Sequence, residues 1–284
     1  MHTQPMTFMQ QLAAAWQRND SLLCVGLDPE PERFPVALRE RPDALFEFCR
    51  RIVDATADLV CCFKPQIAHF AAHRAEDALE RLIAHIHAQH AGIAVILDAK
   101  RGDIGSTAAY YASEAFDRYQ ADAVTLNPYL GGDALAPFLQ RADKGAILLC
   151  RTSNVGARDL QDLLVDGKPL YQHVALRAAR DWNMHGNCAL VVGATYPDEL
   201  AQVRALVGDM PLLVPGVGAQ GGDAEAVVTR GCSSAGTGLM VSASRAVLYA
   251  GSGDDYDVAA RAAAQQLRTT LSAARRKTQA AAVR

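Results

Sequence analysis

Residues 92–107 read GIAVILDAKRGDIGST, an apolar run that ends abruptly in acidic and basic side chains. The β-branched and aliphatic residues at 93–100 predict a buried strand. Because side chains alternate along a strand, Asp98 and Lys100 are expected on the same face. Charges at the end of a buried strand are costly to desolvate unless they have a task. The stretch therefore predicts a strand that carries charged groups into a functional site.

Similar apolar runs recur along the whole chain. Eight of them are predicted to be strands: 22–28, 59–65, 93–100, 123–129, 146–153, 189–195, 211–217 and 238–244. The Ala-rich segments between them carry apolar residues three and four positions apart, which is typical of helices. Each run is continuously apolar, as expected for parallel strands that are covered on both faces. Eight strands alternating with helices predict a closed (β/α)₈ TIM barrel rather than a doubly wound sheet.

The chain is expected to form a single TIM-barrel domain over residues 1–284, because no linker rich in Pro, Gly or Ser divides it. The barrel core is predicted at about residues 20–250. An extra N-terminal helix at 6–18 is predicted to cap the bottom of the barrel. A C-terminal helix and tail are predicted at about residues 256–284.

Composition limits the classes of function. Half of the 284 residues are hydrophobic, and a net charge of −3 gives no indication of a nucleic-acid or membrane-surface partner. Seven cysteines without a Cys-x-x-Cys motif are typical of reduced, buried thiols. The sequence shows neither a signal peptide nor an apolar run long enough to span a bilayer. A soluble, cytoplasmic protein is expected.

Polar residues follow nearly every predicted strand, and in a barrel these strand ends open onto the catalytic face. After the seventh strand, residues 215–222 read PGVGAQGG, a glycine pattern that suits a dinucleotide fold or a phosphate cradle. A dinucleotide fold would need further strands and an acidic residue about 20 positions on. Only one strand follows, and it leads to Arg245, a bidentate phosphate ligand. A phosphate site is therefore the preferred interpretation.

Four alternating charges stand at the ends of the second and third predicted strands: Lys64, Asp98, Lys100 and Asp103. A lysine held between carboxylates stays protonated, which does not suit a Schiff-base nucleophile. It can instead stabilise a developing negative charge and donate a proton. Repulsion between Asp98 and an anionic group would be relieved if that group left as CO₂, an effect ranked below the role of Lys100.

The motif DAKRGDIGST resembles the Asp-x-Lys-x-x-Asp signature of the orotidine 5′-phosphate decarboxylases, in the form found in a bacterial branch of that family. The resemblance extends to GLDP, FKPQ, PGVGAQGG and the arginine after the last strand, over about residues 20–250. It implies decarboxylation of orotidine 5′-phosphate to uridine 5′-phosphate, the last step of de novo UMP synthesis. It also implies that neither a metal nor an organic cofactor takes part.

The resemblance further implies a role for each site residue. Asp28 and Lys64 would hold the ribose hydroxyls. Asp98 would lie beside the substrate carboxylate, and Lys100 would stabilise and protonate the C6 carbanion. Ser153 matches the residue that contacts the pyrimidine. The phosphate ligands are matched by Gln220, Gly221, Gly222 and Arg245.

A homodimer with shared active sites is also implied by the resemblance. Asp103 and Thr107 match residues that each subunit supplies to the site of its partner. The loop at 154–170 is longer than a barrel turn requires and is interpreted as a surface loop. The segment around Gln220 is the preferred lid, whose closure on the phosphate would help to organise the reacting end of the substrate.

Three alternatives remain open. Sugar-phosphate decarboxylases and hexulose-phosphate synthases of the same superfamily place this motif around Mg²⁺, but their second strand ends in a glutamate where this chain has Lys64. His69 and His73 have a spacing that suits zinc, although no third ligand is apparent. A nucleotide-binding protein without turnover would lack a catalytic residue, and here all four charges are present.

Overall fold

The structure, a computed structural model, describes residues 6–217 and 223–282, without the side chains of residues 281 and 282. Eight parallel strands close into a barrel in the order β1-β8-β7-β6-β5-β4-β3-β2. They are β1 Leu23–Leu27, β2 Cys62–Pro65, β3 Ala94–Arg101, β4 Ala123–Leu126, β5 Gly145–Arg151, β6 Cys188–Val192, β7 Leu212–Pro215 and β8 Leu239–Ala243. The prediction of a (β/α)₈ TIM barrel is confirmed.

Helices alternate with these strands. They are α1 Phe8–Arg18, α2 Val36–Arg39, α3 Ala44–Thr56, α4 Ile67–Ala71, α5 Glu76–Gln89, α6 Gly105–Ser113, α7 Gly132–Leu139, α8 Leu170–Arg177, α9 Pro197–Val207, α10 Ala224–Gly231, α11 Arg245–Leu248 and α12 Tyr256–Ala282. Within the described ranges, none of these helices has both the length and the apolar character needed to cross a membrane.

Most strands are buried on both faces and shorter than predicted, whereas β3 has the predicted length and its last three residues are not fully buried. Every residue of β1, β6 and β8 is buried, as the continuously apolar runs indicate. The strand β2 begins only at Cys62, because residues 57–59 form a 3₁₀ turn. The strand β4 ends at Leu126, because the side chain of Asn127 accepts a hydrogen bond from Tyr129 N–H and caps the next 3₁₀ turn. The polar residue after β4 thus has a local structural role.

Helix α1 closes the bottom of the barrel, as predicted. It begins after Thr7, whose hydroxyl forms a capping box with Gln10. The Trp16 indole donates a 2.8 Å hydrogen bond to the carbonyl of Leu239 at the start of β8. The ring of Phe8 lies so close to Gly145, at the start of β5, that a Cβ there would be 2.4 Å from it. Only glycine at this position allows the helix to dock.

The loop at 154–170 has structure that the sequence did not indicate. It contains a 3₁₀ turn, Val155–Asp159, and a short antiparallel hairpin of Leu164–Val165 with Lys168–Pro169. The side chain of Gln161 holds the loop to the end of β5, since it accepts from Thr152 N–H at 2.9 Å and donates to Thr152 Oγ1 at 2.8 Å. The loop is therefore fixed at its base.

Candidate active site

A chain of three charged groups lies at the C-terminal ends of β2 and β3. Lys64 Nζ is 2.7 Å from Asp98 Oδ2, and Lys100 Nζ is 2.6 Å from Asp98 Oδ1. The side chains of Lys64 and Asp98 are 6% and 10% exposed, whereas that of Lys100 is 48% exposed. One carboxylate is thus held between two ammonium groups, of which only Lys100 reaches solvent.

The pKa values of these charged groups follow from their geometry. Burial alone would raise the pKa of Asp98, but the ammonium groups of Lys64 and Lys100 hold it well below its usual range. Burial alone would lower the pKa of Lys64, but the carboxylates of Asp98 and Asp28 raise it above its ordinary value. Asp98 and Lys64 are therefore both charged at neutral pH.

The contact between Asp98 and Lys100 does not result from simple strand alternation. The pairing of β3 with β4 shifts register between Leu97 and Arg101. Within this irregular stretch Lys100 has a φ of +48°, in the left-handed region that favours glycine. The prediction that both side chains share a face is correct in outcome, but an irregular backbone brings them together. Such strain in a non-glycine residue is concentrated at functional sites.

A cavity of about 200 Å³ adjoins the charged chain. Its lining comprises Asp28, Lys64, Asp98, Pro215, Gly216, Val217, Ser242, Ala243, Ser244, Arg245 and Ala246. Asp28 Oδ1 is buried and has no hydrogen-bond partner among the described residues. A buried carboxylate oxygen without a donor is costly, and it indicates a ligand group that carries a hydroxyl or an N–H.

The structure therefore brings four of the predicted site residues to one cavity: Asp28, Lys64, Asp98 and Arg245. Arg245 opens helix α11 directly after β8. Gln220, Gly221 and Gly222 lie outside the described residues, and Val217, which precedes that stretch, lines the cavity. Ser242 and Ser244 also line it and were missed, although two serines in the apolar run GLMVSAS were a visible signal.

Ser153 follows the end of β5 and lies against the end of β6. A Cβ on Gly193 would be 2.8 Å from the Ser153 Cβ and 3.0 Å from its backbone nitrogen. Gly193 N–H also donates to the carbonyl of Arg151 at 2.8 Å. The glycine after β6 thus permits a close approach that fixes the backbone at Ser153.

Asp103 and Thr107 do not contact the three charged groups, Lys64, Asp98 and Lys100, of their own subunit. Asp103 Oδ1 accepts a hydrogen bond from Ile104 N–H at 2.8 Å. Within the described part of the chain, no ion pair joins Asp103 to Lys64 or Lys100. Thr107 is exposed on the first turn of α6.

Histidines near possible metal ligands lie elsewhere. His69 Nδ1 is 3.0 Å from the carbonyl of Pro29 rather than beside a second ligand. In the described ranges, one group has metal-compatible donors: Asp54, His85 and His90. Both histidine Nε2 atoms lie 2.6–2.8 Å from Asp54 Oδ1, which are hydrogen-bonding distances. Arg50 pairs with the other Asp54 oxygen at 2.7 Å within α3, so the group is a hydrogen-bonded link between α3 and the end of α5.

The fold and the site together define a class: (β/α)₈ barrel proteins that hold a carboxylate between two lysines beside an arginine-lined cavity. Residues 21–262 match the family model described as "Orotidine 5'-phosphate decarboxylase / HUMPS family", and the chain belongs to this family.

Known proteins of high similarity include two bacterial orotidine 5'-phosphate decarboxylases. That of Azoarcus sp. (strain BH72) is 66% identical over 270 residues, covering 95% of this chain and 100% of the relative. That of Dechloromonas aromatica (strain RCB) is 63% identical over 266 residues, covering 94% and 98%. Among solved structures, Leishmania donovani OMP decarboxylase is similar with a TM-score of 0.83 and 40% identity, covering 95% of this chain and 99% of that one.

Proposed function

We propose that this protein converts orotidine 5′-phosphate to uridine 5′-phosphate without a metal or an organic cofactor. The observation that carries the proposal is the chain of Lys64, Asp98 and Lys100 at the edge of a cavity that also contains Arg245. Relatives that are more than 60% identical over nearly the whole chain bear the name of this activity. We further propose that the enzyme is cytoplasmic. We also propose a single domain, since one buried cluster draws on all eight strands.

Substrate binding is proposed to use the polar groups of the cavity. The unpartnered Asp28 Oδ1 and the ammonium of Lys64 suit the ribose hydroxyls, one as an acceptor and the other as a donor. Arg245 suits the phosphate, because its guanidinium can donate two parallel hydrogen bonds. Gln220, Gly221 and Gly222 are proposed to complete the phosphate site. Ser153, which follows β5, is proposed to contact the pyrimidine.

The chemistry is proposed to be driven by Asp98 and Lys100. The C6–carboxylate bond breaks, its electron pair stays on C6, and CO₂ leaves as a neutral molecule. The Lys100 ammonium stabilises the pair electrostatically and then transfers one N–H proton to C6. Lys100 is afterwards reprotonated from solvent, to which its side chain is half exposed. The buried Asp98 carboxylate repels the substrate carboxylate, and this repulsion ends with the departure of CO₂.

Lys64 separates this proposal from the metal-dependent reaction of the same family. A Mg²⁺ site needs oxygen ligands, and the side chain at the end of β2 is a buried cation already paired with Asp98. The second carboxylate oxygen of Asp98 is occupied by Lys100. An additional cation beside this carboxylate would be repelled by both lysines.

The shared active site is proposed from the position of α6. Asp103 accepts a hydrogen bond from the next residue, Ile104, and Thr107 is exposed. Large apolar side chains are also exposed in this region, including Ile104 at 59% and Tyr110 at 76%. Exposed apolar groups of this size suit an interface. We propose a homodimer in which Asp103 and Thr107 enter the site of the partner.

The ultraviolet absorbance of orotidine 5′-phosphate tests the reaction directly. Purified protein with added EDTA is expected to convert the spectrum to that of uridine 5′-phosphate. Activity that is lost with EDTA and restored with Mg²⁺ would support the metal-dependent alternative. Tight binding of the nucleotide with no spectral change would support a binding protein without turnover.

Mixing two inactive variants tests the shared site. Asp103→Asn and Lys100→Ala chains are each expected to be inactive as homodimers. Mixed dimers would combine an intact Lys100 and an intact Asp103 in one of their two sites, so partial activity is expected on mixing. If mixing restores nothing while dimers are shown to exchange, Asp103 acts within its own chain.

A further inference from the structure

The strand carrying the proposed catalytic pair is paired irregularly with its neighbour. In the ladder of β3 and β4, Leu97 pairs with Val124 and Arg101 pairs with Leu126. Residues 98–100 therefore lie opposite a single residue, Thr125. A bulge of this kind removes regular ladder partners from the bulged strand. The N–H groups of Ala99 and Lys100 consequently need another acceptor.

The hydroxyl of Thr125 supplies that acceptor. Its Oγ1 accepts hydrogen bonds from Ala99 N–H at 3.0 Å and from Lys100 N–H at 2.9 Å. A hydroxyl has two lone pairs and one proton, so both acceptor positions are then in use. The proton can point only outward from these contacts, toward Asp98 Oδ1 at 2.9 Å. Thr125 is 1% exposed, which leaves little access for water to replace any of these bonds.

These contacts close a ring that includes both members of the pair. Asp98 Oδ1 accepts from the Thr125 hydroxyl at 2.9 Å and from Lys100 Nζ at 2.6 Å. The backbone of Lys100, with its left-handed φ of +48°, is held by the same hydroxyl. A single oxygen atom thus connects the Asp98 carboxylate with the strained backbone of Lys100.

We infer that Thr125 is a positioning residue for decarboxylation, acting through the backbone of Lys100 and the carboxylate of Asp98. The inference rests on the proposed function. Thr125 is buried and its hydroxyl is fully used by these three hydrogen bonds, so it is not expected to touch the substrate. Its loss would leave two partly buried N–H groups without an acceptor and remove one donor from Asp98. The bulge would relax, and the ammonium of Lys100 would move relative to C6.

The test compares Thr125→Val, which keeps the shape, with Thr125→Ser, which keeps the hydroxyl. For the valine variant we expect kcat to fall about 100-fold, because a small displacement of a catalytic group can lower the rate by this factor. The KM and the calorimetric affinity for uridine 5′-phosphate should be little changed, because ribose and phosphate contacts lie elsewhere. Serine should recover most of the lost kcat.

The matched control is Thr56→Val. Thr56 is also fully buried, and its hydroxyl donates to the carbonyl of Ile52 within α3. This change removes a buried hydroxyl outside the site and should lower the melting temperature without lowering kcat. If Thr125→Val does not fold, Thr125→Cys replaces it, with activity expected below that of the serine variant because a thiol forms weak hydrogen bonds.

Three results would overturn the inference. They are a Thr125→Val enzyme with wild-type kcat, a serine variant no better than the valine or cysteine variant, and a loss confined to KM. Wild-type protein is assayed in parallel, because its failure to turn over orotidine 5′-phosphate would instead contradict the proposed function.

Discussion

Two buried aspartates, at opposite ends of the barrel, show how one residue type serves two purposes. Counted over the whole residue, Asp98, at the C-terminal end of β3, is 7% exposed, and Asp122, just before β4, is 6% exposed. Burial alone would raise the pKa of each, yet the pKa of each is lowered by its partners. Their burial is the same, and the difference lies in the partners.

Asp98 is stabilised by charge, whereas Asp122 is enclosed by hydrogen bonds from several elements. The partners of Asp122 are Gln11 Nε2 at 3.0 Å, His87 Nε2 at 3.0 Å and Val95 N–H at 2.8 Å. These contacts join helices α1 and α5 to the start of β3. At the other end, Lys100 is half exposed and has a strained backbone, and Asp28 Oδ1 has no partner in the described chain.

The two ends of the barrel therefore use a buried carboxylate for different purposes. At the bottom, the carboxylate joins elements, and its removal should reduce stability. At the top, Asp98 and Lys64 line a cavity and Lys100 pairs with Asp98, so removal of these groups should reduce activity. This division agrees with the general pattern of TIM barrels, whose catalytic groups lie at the C-terminal strand ends.

The strongest test of this comparison is Lys100→Met. The substitution keeps the length of the side chain but removes the group proposed to stabilise and protonate C6. We expect kcat/KM to fall by about 10⁴-fold or more. The melting temperature should change little, because Lys100 is half exposed and Asp98 keeps its contacts with Lys64 and Thr125. An active variant, or one that loses activity only through unfolding, would show that the top of the barrel does not work as described.

Arg245→Ala should have the next largest effect. Loss of a bidentate contact to the phosphate should lower kcat/KM for orotidine 5′-phosphate by about 10²-fold. Orotidine, which has no phosphate, should react far more slowly than the nucleotide even at saturation. The variant should not slow orotidine further. Equal turnover of the two substrates at saturation would contradict the role given to phosphate binding.

Asp122→Asn should produce the opposite outcome to Lys100→Met. An amide cannot accept all three hydrogen bonds, so we expect the free energy of unfolding to fall by about 2 kcal/mol in urea titrations. At a temperature where the variant is folded, kcat should equal that of the wild type. Asp198→Asn is the matched control, because that side chain is 81% exposed. A kcat that falls with Asp122→Asn would remove the distinction between the two ends.

The smallest expected effect is the pH dependence of that stability difference. Because the partners of Asp122 lower its pKa in the folded state, its ionised form stabilises the fold above the unfolded pKa of about 3.9. This contribution is lost as the pH falls through the lower, folded pKa. The gap in unfolding free energy between wild type and Asp122→Asn should therefore narrow at acidic pH. A gap that widens there would contradict the assignment.

Much of the fold and part of the candidate site could be predicted from sequence. Continuous apolar runs predict parallel strands. Polar residues follow nearly every run at the face where a barrel carries its catalytic groups, which is why Asp28, Lys64, Asp98 and Arg245 were found. The role of Thr125 was not predicted, because its contacts depend on a register shift that no residue pattern indicates. The hairpin at 164–169 was missed because each of its strands has only two residues.

The central claim is that Lys100, held beside Asp98, lies within proton-transfer distance of the carbon that loses CO₂. A crystal structure with bound uridine 5′-phosphate measures this distance directly. We predict that Lys100 Nζ is the polar side-chain atom nearest to C6, at about 3–3.5 Å. A nucleotide bound in the cavity with C6 facing another group, and with Lys100 Nζ beyond contact, would contradict the account.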